Sequence, residues 1–316
     1  MVSPGLAGLD ALARHHWSWI SESFLHVSIL EEWGERRLSE RISDEYSREI
    51  PRAFRLIGLM LASNHQIRFS SGVEAAGPSL PYPGGSVQQM AARELSMMRG
   101  FDRPLRSIQQ EWGKESGSEA AEIVEEAVLS RARYTHWLED KMAGLDDMSG
   151  KLCRNPDDPS WVALNAMLLQ LIYGIDETSV HMLLFWHENQ TDEAEWSWRR
   201  SYGYMLLAFK IARYLASREW AIDFRSGAAV GGVGLPRVGV TSSEVRQIDQ
   251  DRYISLKSWA GQIAHADQSA SDRLQREPAI DALMEQLLAR LSELSNPERV
   301  SAPNLAGMME RYRYPG

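Results

Sequence analysis

At 316 residues, 44% hydrophobic and 24% charged, the chain has the make-up of a soluble globular protein with ample core material. Its net charge of -9 and pI near 5.5 lack the basic excess that a nucleic-acid-binding face requires. No apolar run approaches the roughly 18 residues of a membrane span, and no basic-then-apolar leader opens the chain, so a cytoplasmic protein is expected.

Helical periodicity dominates. Over 6–40, Leu9, Leu12, Trp17, Ile20, Phe24, Val27, Leu30 and Trp33 recur at steps of three and four. A second helix fits 44–66, with Phe54, Leu56, Leu59, Met60 and Leu61 on it. The stretch from Gly77 to Gly85, "GPSLPYPGG", holds three prolines and three glycines and excludes regular structure. Ser86 then serves as the N-cap of a third helix reaching about Trp112.

A fourth helix covers about 118–146, before the proline-broken "SGKLCRNPDDPS". From Trp161 to Glu188 the pattern is so apolar that the helix must be buried on most of its sides. "NQTDEAE" marks a break with a fresh N-cap at Thr191, opening a helix to about Trp220. After the glycine-rich "RSGAAVGGVGLPRVGVTSS" come helices at about 242–265 and 278–294, the last begun by Pro278 and stopped by Asn296-Pro297. No alternating strand run interrupts them. The expectation is an all-α, single-domain bundle of about eight helices over 1–316.

Several chemistries lack their motifs: no Gly-x-Ser-x-Gly elbow, Walker loop, Cys-x-x-Cys pair or His-Glu-x-x-His helix is present. "GAAVGGVG" has no strand before it, which weakens a dinucleotide reading. The one cysteine, Cys153, excludes an internal disulfide and sits in a charged loop that suits no buried thiolate ligand.

What remains is histidine and carboxylate on helices. Glu22 and His26 stand four apart, as do Glu177 and His181, and that spacing shares one helical face. A carboxylate-bridged di-iron site draws such pairs from different helices, although its usual spacing is three. His181 lies in the most apolar segment of the chain. It reads either as a core histidine bonded to Glu177 or as the axial ligand of a heme b held between helices. His187, at the wetter end of the same helix, is the alternative ligand. His15, His16, His136 and His265, among charged or small residues, are expected at the surface.

The glycine-tipped loop resembles a stretch of the tryptophan 2,3-dioxygenases that reads roughly Pro-x-Ser-Gly-Phe-Gln-Ser-x-Gln-Phe-Arg-x-x-Glu and then Leu-Gly. Its counterpart is Pro83-Gly84-Gly85-Ser86-Val87-Gln88, then Glu94, then "MMRG". Upstream, "NHQIRFSS" is similar to the family's Phe-Arg-Asp, with Arg68 at the arginine, and "FLHVSILEEWGERRL" to its His-Gln-x-x-Glu-Leu-Trp-Phe helix, with Glu31 and Trp33 in register. The likeness covers about residues 20–100. Ser28 stands where the family has its distal histidine, and Met90 near its carboxylate-gripping arginine, with Arg93 one turn later. The Trp-Arg-x-x-His run is missing, "GAAVGGVG" is the counterpart of the family's Gly-Thr-Gly-Gly loop without its threonine, and "SVHMLLFWH" resembles only the His-Met-x-x-Val-x-Arg portion, with His181 as ligand.

These departures resemble a divergent branch, the heme-dependent tyrosine hydroxylases of natural-product (antibiotic) biosynthesis. The resemblance implies an all-α fold, heme b on His181 or His187, and an aromatic amino acid, tyrosine first, hydroxylated with peroxide or dioxygen. It places Gly85, Ser86 and Gln88 along the substrate, Arg68 or Arg93 at its carboxylate, and Ser28 on the distal side in a homo-oligomer. His65, since a near-neutral side chain suits proton transfer, is a candidate distal acid–base residue beside the alternative of a solvent-facing helix end. The rival readings are a tryptophan-cleaving dioxygenase, a di-iron oxygenase and a non-catalytic helical protein that packs a ligand between apolar helices.

Overall fold

The computed structural model describes residues 4–62, 81–102, 104–106, 108, 119–144, 159–225, 237–239, 241–270 and 278–311. Among them the fold is all-α: α1 (Pro4–Glu32), α2 (Arg36–Ala62), α3 (Val87–Gly100), α4 (Glu119–Ala143), α5 (Pro159–His187), α6 (Thr191–Ser217), α7 (Ser242–Ala270), α8 (Pro278–Leu294), a 3-10 turn (Pro297–Arg299) and α9 (Leu305–Arg311). None of these helices is long and apolar enough to cross a membrane.

The backbone contacts gather α1 to α4, with residues from Ala306 onward, into one compact unit, and α5 to α8 with the 3-10 turn into another. In the first unit α1 lies along α2, and α3 packs on both α1 and α4. In the second, α5 packs on α6 and α7, and α8 closes against α6 and α7.

The run expected over 6–40 is two helices. Gly34 breaks it with φ +81°: its N–H returns to Glu31 O at 3.1 Å and that of Glu35 to Leu30 O at 2.9 Å. This left-handed C-cap closes the orphan carbonyls of α1. Asn189, with φ +58°, ends α5 in the same way, so the N-cap of α6 is Gln190 and Thr191 is already helical.

The core of the first unit draws on Leu9, Leu12, Trp19, Leu25 and Ile29 from α1 and on Ile42, Leu56 and Met60 from α2, all fully buried. In the second unit α5 is buried on nearly every side from Trp161 to Val180, the environment its sequence demands. Gly174 admits α6 closely there: a Cβ at that position would stand 2.9 Å from the ring of Tyr204.

Candidate functional site

The segment 81–86 is fixed from both ends. Gly84 takes φ +71°, which glycine adopts without steric cost. Ser86 caps α3, its Oγ accepting from Gln89 N at 3.2 Å, and Gly85 N donates to Gln89 Oε1 at 2.8 Å. Gln88 lies half-buried on the first turn. From α1, His26 Nε2 meets the carbonyl oxygen of Tyr82 at 2.9 Å.

The other ring nitrogen of His26 leads to a buried hub. His26 Nδ1 lies 2.6 Å from Glu94 Oε1, to which Ser23 Oγ donates at 2.8 Å. Trp19 Nε1 and the Tyr134 hydroxyl donate to Glu94 Oε2 at 2.6 and 3.4 Å. Burial alone would lower the pKa of His26, but the hydrogen bond and charge of Glu94, the charge of Glu22 and the Tyr82 carbonyl outweigh it and raise it above the usual 6.5. Tyr134, sealed from water beside Glu94 and Glu45, is pushed well above 10.

Arg93, expected at a substrate carboxylate, is held by a carboxylate of the protein itself. Its Nε and Nη2 donate to the two oxygens of buried Glu22, each at 2.7 Å. Ser28 is buried and donates to Phe24 O in its own helix at 2.8 Å, a common use of a mid-helix serine. His65 and Arg68 lie outside the described residues.

In the second unit, Glu177 and His181, one turn apart on α5, each accept a backbone N–H from the short segment 237–239. Arg237 N donates to Glu177 Oε1 at 2.8 Å and Gly239 N to His181 Nε2 at 3.0 Å. Glu177 is also paired with buried Arg252, whose Nη2 and Nε reach its two oxygens at 2.6 and 3.1 Å, while Arg252 Nη1 donates to Gln170. His181 is therefore not bonded to Glu177. Burial, with the charge of Arg237 adding, lowers its pKa to about 4, so it is neutral at physiological pH.

Neither Glu-x-x-x-His pair is arranged as a metal pair. In each, an arginine neutralises the carboxylate and the histidine bonds elsewhere. Among the described residues no group of three or more His, Cys, Asp or Glu side chains is placed to hold a metal ion.

For a heme, the test falls on His181. It meets two requirements of an axial ligand: it is 1% exposed, and it is neutral. It also has a buried ring nitrogen, Nδ1, without a hydrogen-bond partner among the described residues. The third requirement is a free lone pair. Because Gly239 N–H points at Nε2, the imidazole proton sits on Nδ1, and neither nitrogen can ligate until that contact opens. His187, half-buried at the end of α5, likewise has an Nδ1 without a partner among the described residues.

Sequence reasoning missed two groups. One is an interior ionic cluster: Arg200 pairs with Asp249 and donates to Leu294 O, and Tyr204 Oη donates to Asp249 Oδ1 at 2.9 Å. Its signal was faint, two charged residues three apart on α7, Asp249 and Arg252, both turned inward. The other is His16, expected at the surface but fully buried. Its Nδ1 lies 3.1 Å from Glu49 Oε2 and its ring packs against Phe101 at 4.5 Å. Burial, with Arg52 and Arg131 nearby, keeps it neutral. His15 is partly buried, with Nε2 2.9 Å from Met97 O, and His136 is exposed as expected. The side chain of His265 lies outside the described residues.

Compared with protein-family models, curated proteins and solved structures, the chain matches none of them.

Proposed function

We propose that the chain is a heme-dependent oxygenase acting on the ring of an aromatic amino acid, tyrosine first, with His181 as the axial ligand. The observation that carries this reading is the buried imidazole in the most apolar part of α5, held neutral down to a pKa of about 4. Bound there, heme would supply the activation of dioxygen or peroxide. The chain's own contribution is to exclude water, through buried Val180, Met182, Leu183 and Phe185, and to keep the imidazole unprotonated. Freeing Nε2 costs one backbone hydrogen bond, about 1 kcal/mol net. Arg93 is taken by Glu22 and is not available to a substrate carboxylate.

A second reading, a non-catalytic helical ligand-binding protein, is favoured by those same engaged groups: the His181 lone pair held by Gly239 and Arg93 held by Glu22. One experiment separates the two. Purified protein supplied with heme is examined by visible absorption, reduced and with carbon monoxide, alongside His181→Ala and His187→Ala. A Soret band typical of histidine ligation, kept in His187→Ala and lost in His181→Ala, supports the oxygenase. No band in wild type, or equal retention in both variants, removes it.

A further inference from the structure

We propose that His26 is a protonation-dependent latch: as an imidazolium it ties the Tyr82 carbonyl to Glu94, and on losing one proton it releases the segment 81–86 from α1. Two acceptors face the ring nitrogens of His26. Glu94 Oε1 at 2.6 Å and Tyr82 O at 2.9 Å are both pure acceptors, so each nitrogen must carry a hydrogen, and the ring that satisfies both is the cation.

Loss of a proton does not merely weaken this arrangement. The hydrogen that stays is the one shared with the carboxylate, the shorter and charge-assisted bond. Nε2 is then left with a lone pair 2.9 Å from the lone pairs of Tyr82 O. Attraction becomes repulsion at that one contact.

The charged groups around His26 favour its protonated, closed form. Glu94 on α3 bonds it, and Glu22, on its own helix one turn earlier, adds negative charge. Arg93 on α3 is paired with Glu22, and Tyr134 on α4 donates to Glu94. Among the described residues, Gly85 N and Tyr82 Oη reach Gln89 Oε1 at 2.8 and 3.4 Å and tie the segment to the start of α3. With Pro81 and Pro83 stiffening it, the segment moves as a unit about its cap at Ser86. Release belongs above the ordinary 6.5 of a histidine.

The test uses the full chain. Amide exchange of Tyr82, Gly84, Gly85 and Ser86 is followed from pH 6 to 9, corrected for intrinsic exchange, while the His26 ring is titrated by NMR. Protection of the segment is expected to fall at least tenfold across the same pH interval in which His26 loses its proton. His26→Gln offers an N–H to Tyr82 O but cannot titrate, so its protection should be flat. Protection that stays level in wild type while His26 titrates overturns the latch, and so does a step that survives in His26→Gln. His26→Phe, if it folds, should be open at every pH, and protection equal to that of wild type at pH 6 would also overturn it.

Discussion

Arg93 and Glu22 form a two-point ion pair, with two nitrogens of one guanidinium on both oxygens of one carboxylate at 2.7 Å. The carboxylate is fully buried, whereas the arginine is about a third exposed. The two ends are therefore unequal: truncating the arginine strands a buried anion, while truncating the glutamate leaves a cation that can turn to water. Arg93→Ala is expected to cost about 3 kcal/mol in urea unfolding, and Glu22→Ala less. The double variant should lose well under the sum of the singles. Additive losses would mean that the pair does not form in solution.

Gly84 is expected to resist replacement. At φ +71° a Cβ would stand 2.7 Å from Met90 Cγ and 3.3 Å from Met90 N. Met90 Cγ lies near the root of a fully buried side chain, the helix backbone cannot move, and the left-handed conformation adds about 1 kcal/mol for an L-residue. Gly84→Ala should lower stability by about 1–2 kcal/mol, and Gly84→Asn by less, since asparagine tolerates that conformation. Gly34→Ala, with the same sign of φ and open space around it, isolates the backbone contribution. Chemical denaturation of the three variants gives the comparison.

Acid should weaken the second unit through His181. Its folded pKa, about 4, lies below the ordinary 6.5, so the unfolded chain binds the proton more readily. The neutral imidazole thus contributes stability that is fully present above pH 6.5 and is lost as pH falls toward 4, about 3 kcal/mol in all. His181→Gln should flatten the stability profile over this interval relative to wild type. His16, also held neutral by burial, acts in the same direction on the first unit. An unchanged slope in His181→Gln would remove the assignment.

Glu177 serves two masters on α5, the Arg252 guanidinium and the Arg237 amide. Glu177→Gln keeps the shape but leaves a buried arginine without its counter-ion, and a loss of about 3–5 kcal/mol is expected. Replacing both members with apolar residues of similar volume, Glu177→Leu with Arg252→Met, should recover much of that loss. Thermal unfolding with paired double-variant controls measures the recovery.

How much of this was legible from the residues depends on sequence distance. Ser86 capping α3 and the burial of α5 are local facts, one carried by a serine before a helix former and the other by an unbroken apolar run, and both were readable. The break at Gly34 was not, because the apolar period continues to Trp33 and hides a single left-handed residue. His16 was misread from its polar neighbours, although Leu9, Leu12, His16, Trp19 and Ser23 form one stripe at steps of three and four, all of it buried. The partners that define the candidate sites lie farther away: Glu22 is 71 positions from Arg93, and Gly239 is 58 from His181. No local pattern encodes which carboxylate an arginine will find at that range. The likeness between the two Glu-x-x-x-His runs suggested a shared metal, and each instead holds a loop segment by its histidine, one as donor and the other as acceptor.

The phenols of Tyr134 and Tyr204 each donate to a carboxylate shut away from water, Glu94 in one unit and Asp249 in the other. Ionising either would create a second anion beside the first in a place without solvent, and both are held well above 10. They are therefore silent chromophores. In an alkaline spectrophotometric titration of the ten tyrosines, the phenolate colour of these two arrives only when the helices around them part, so each reports by absorbance on the opening of its own unit.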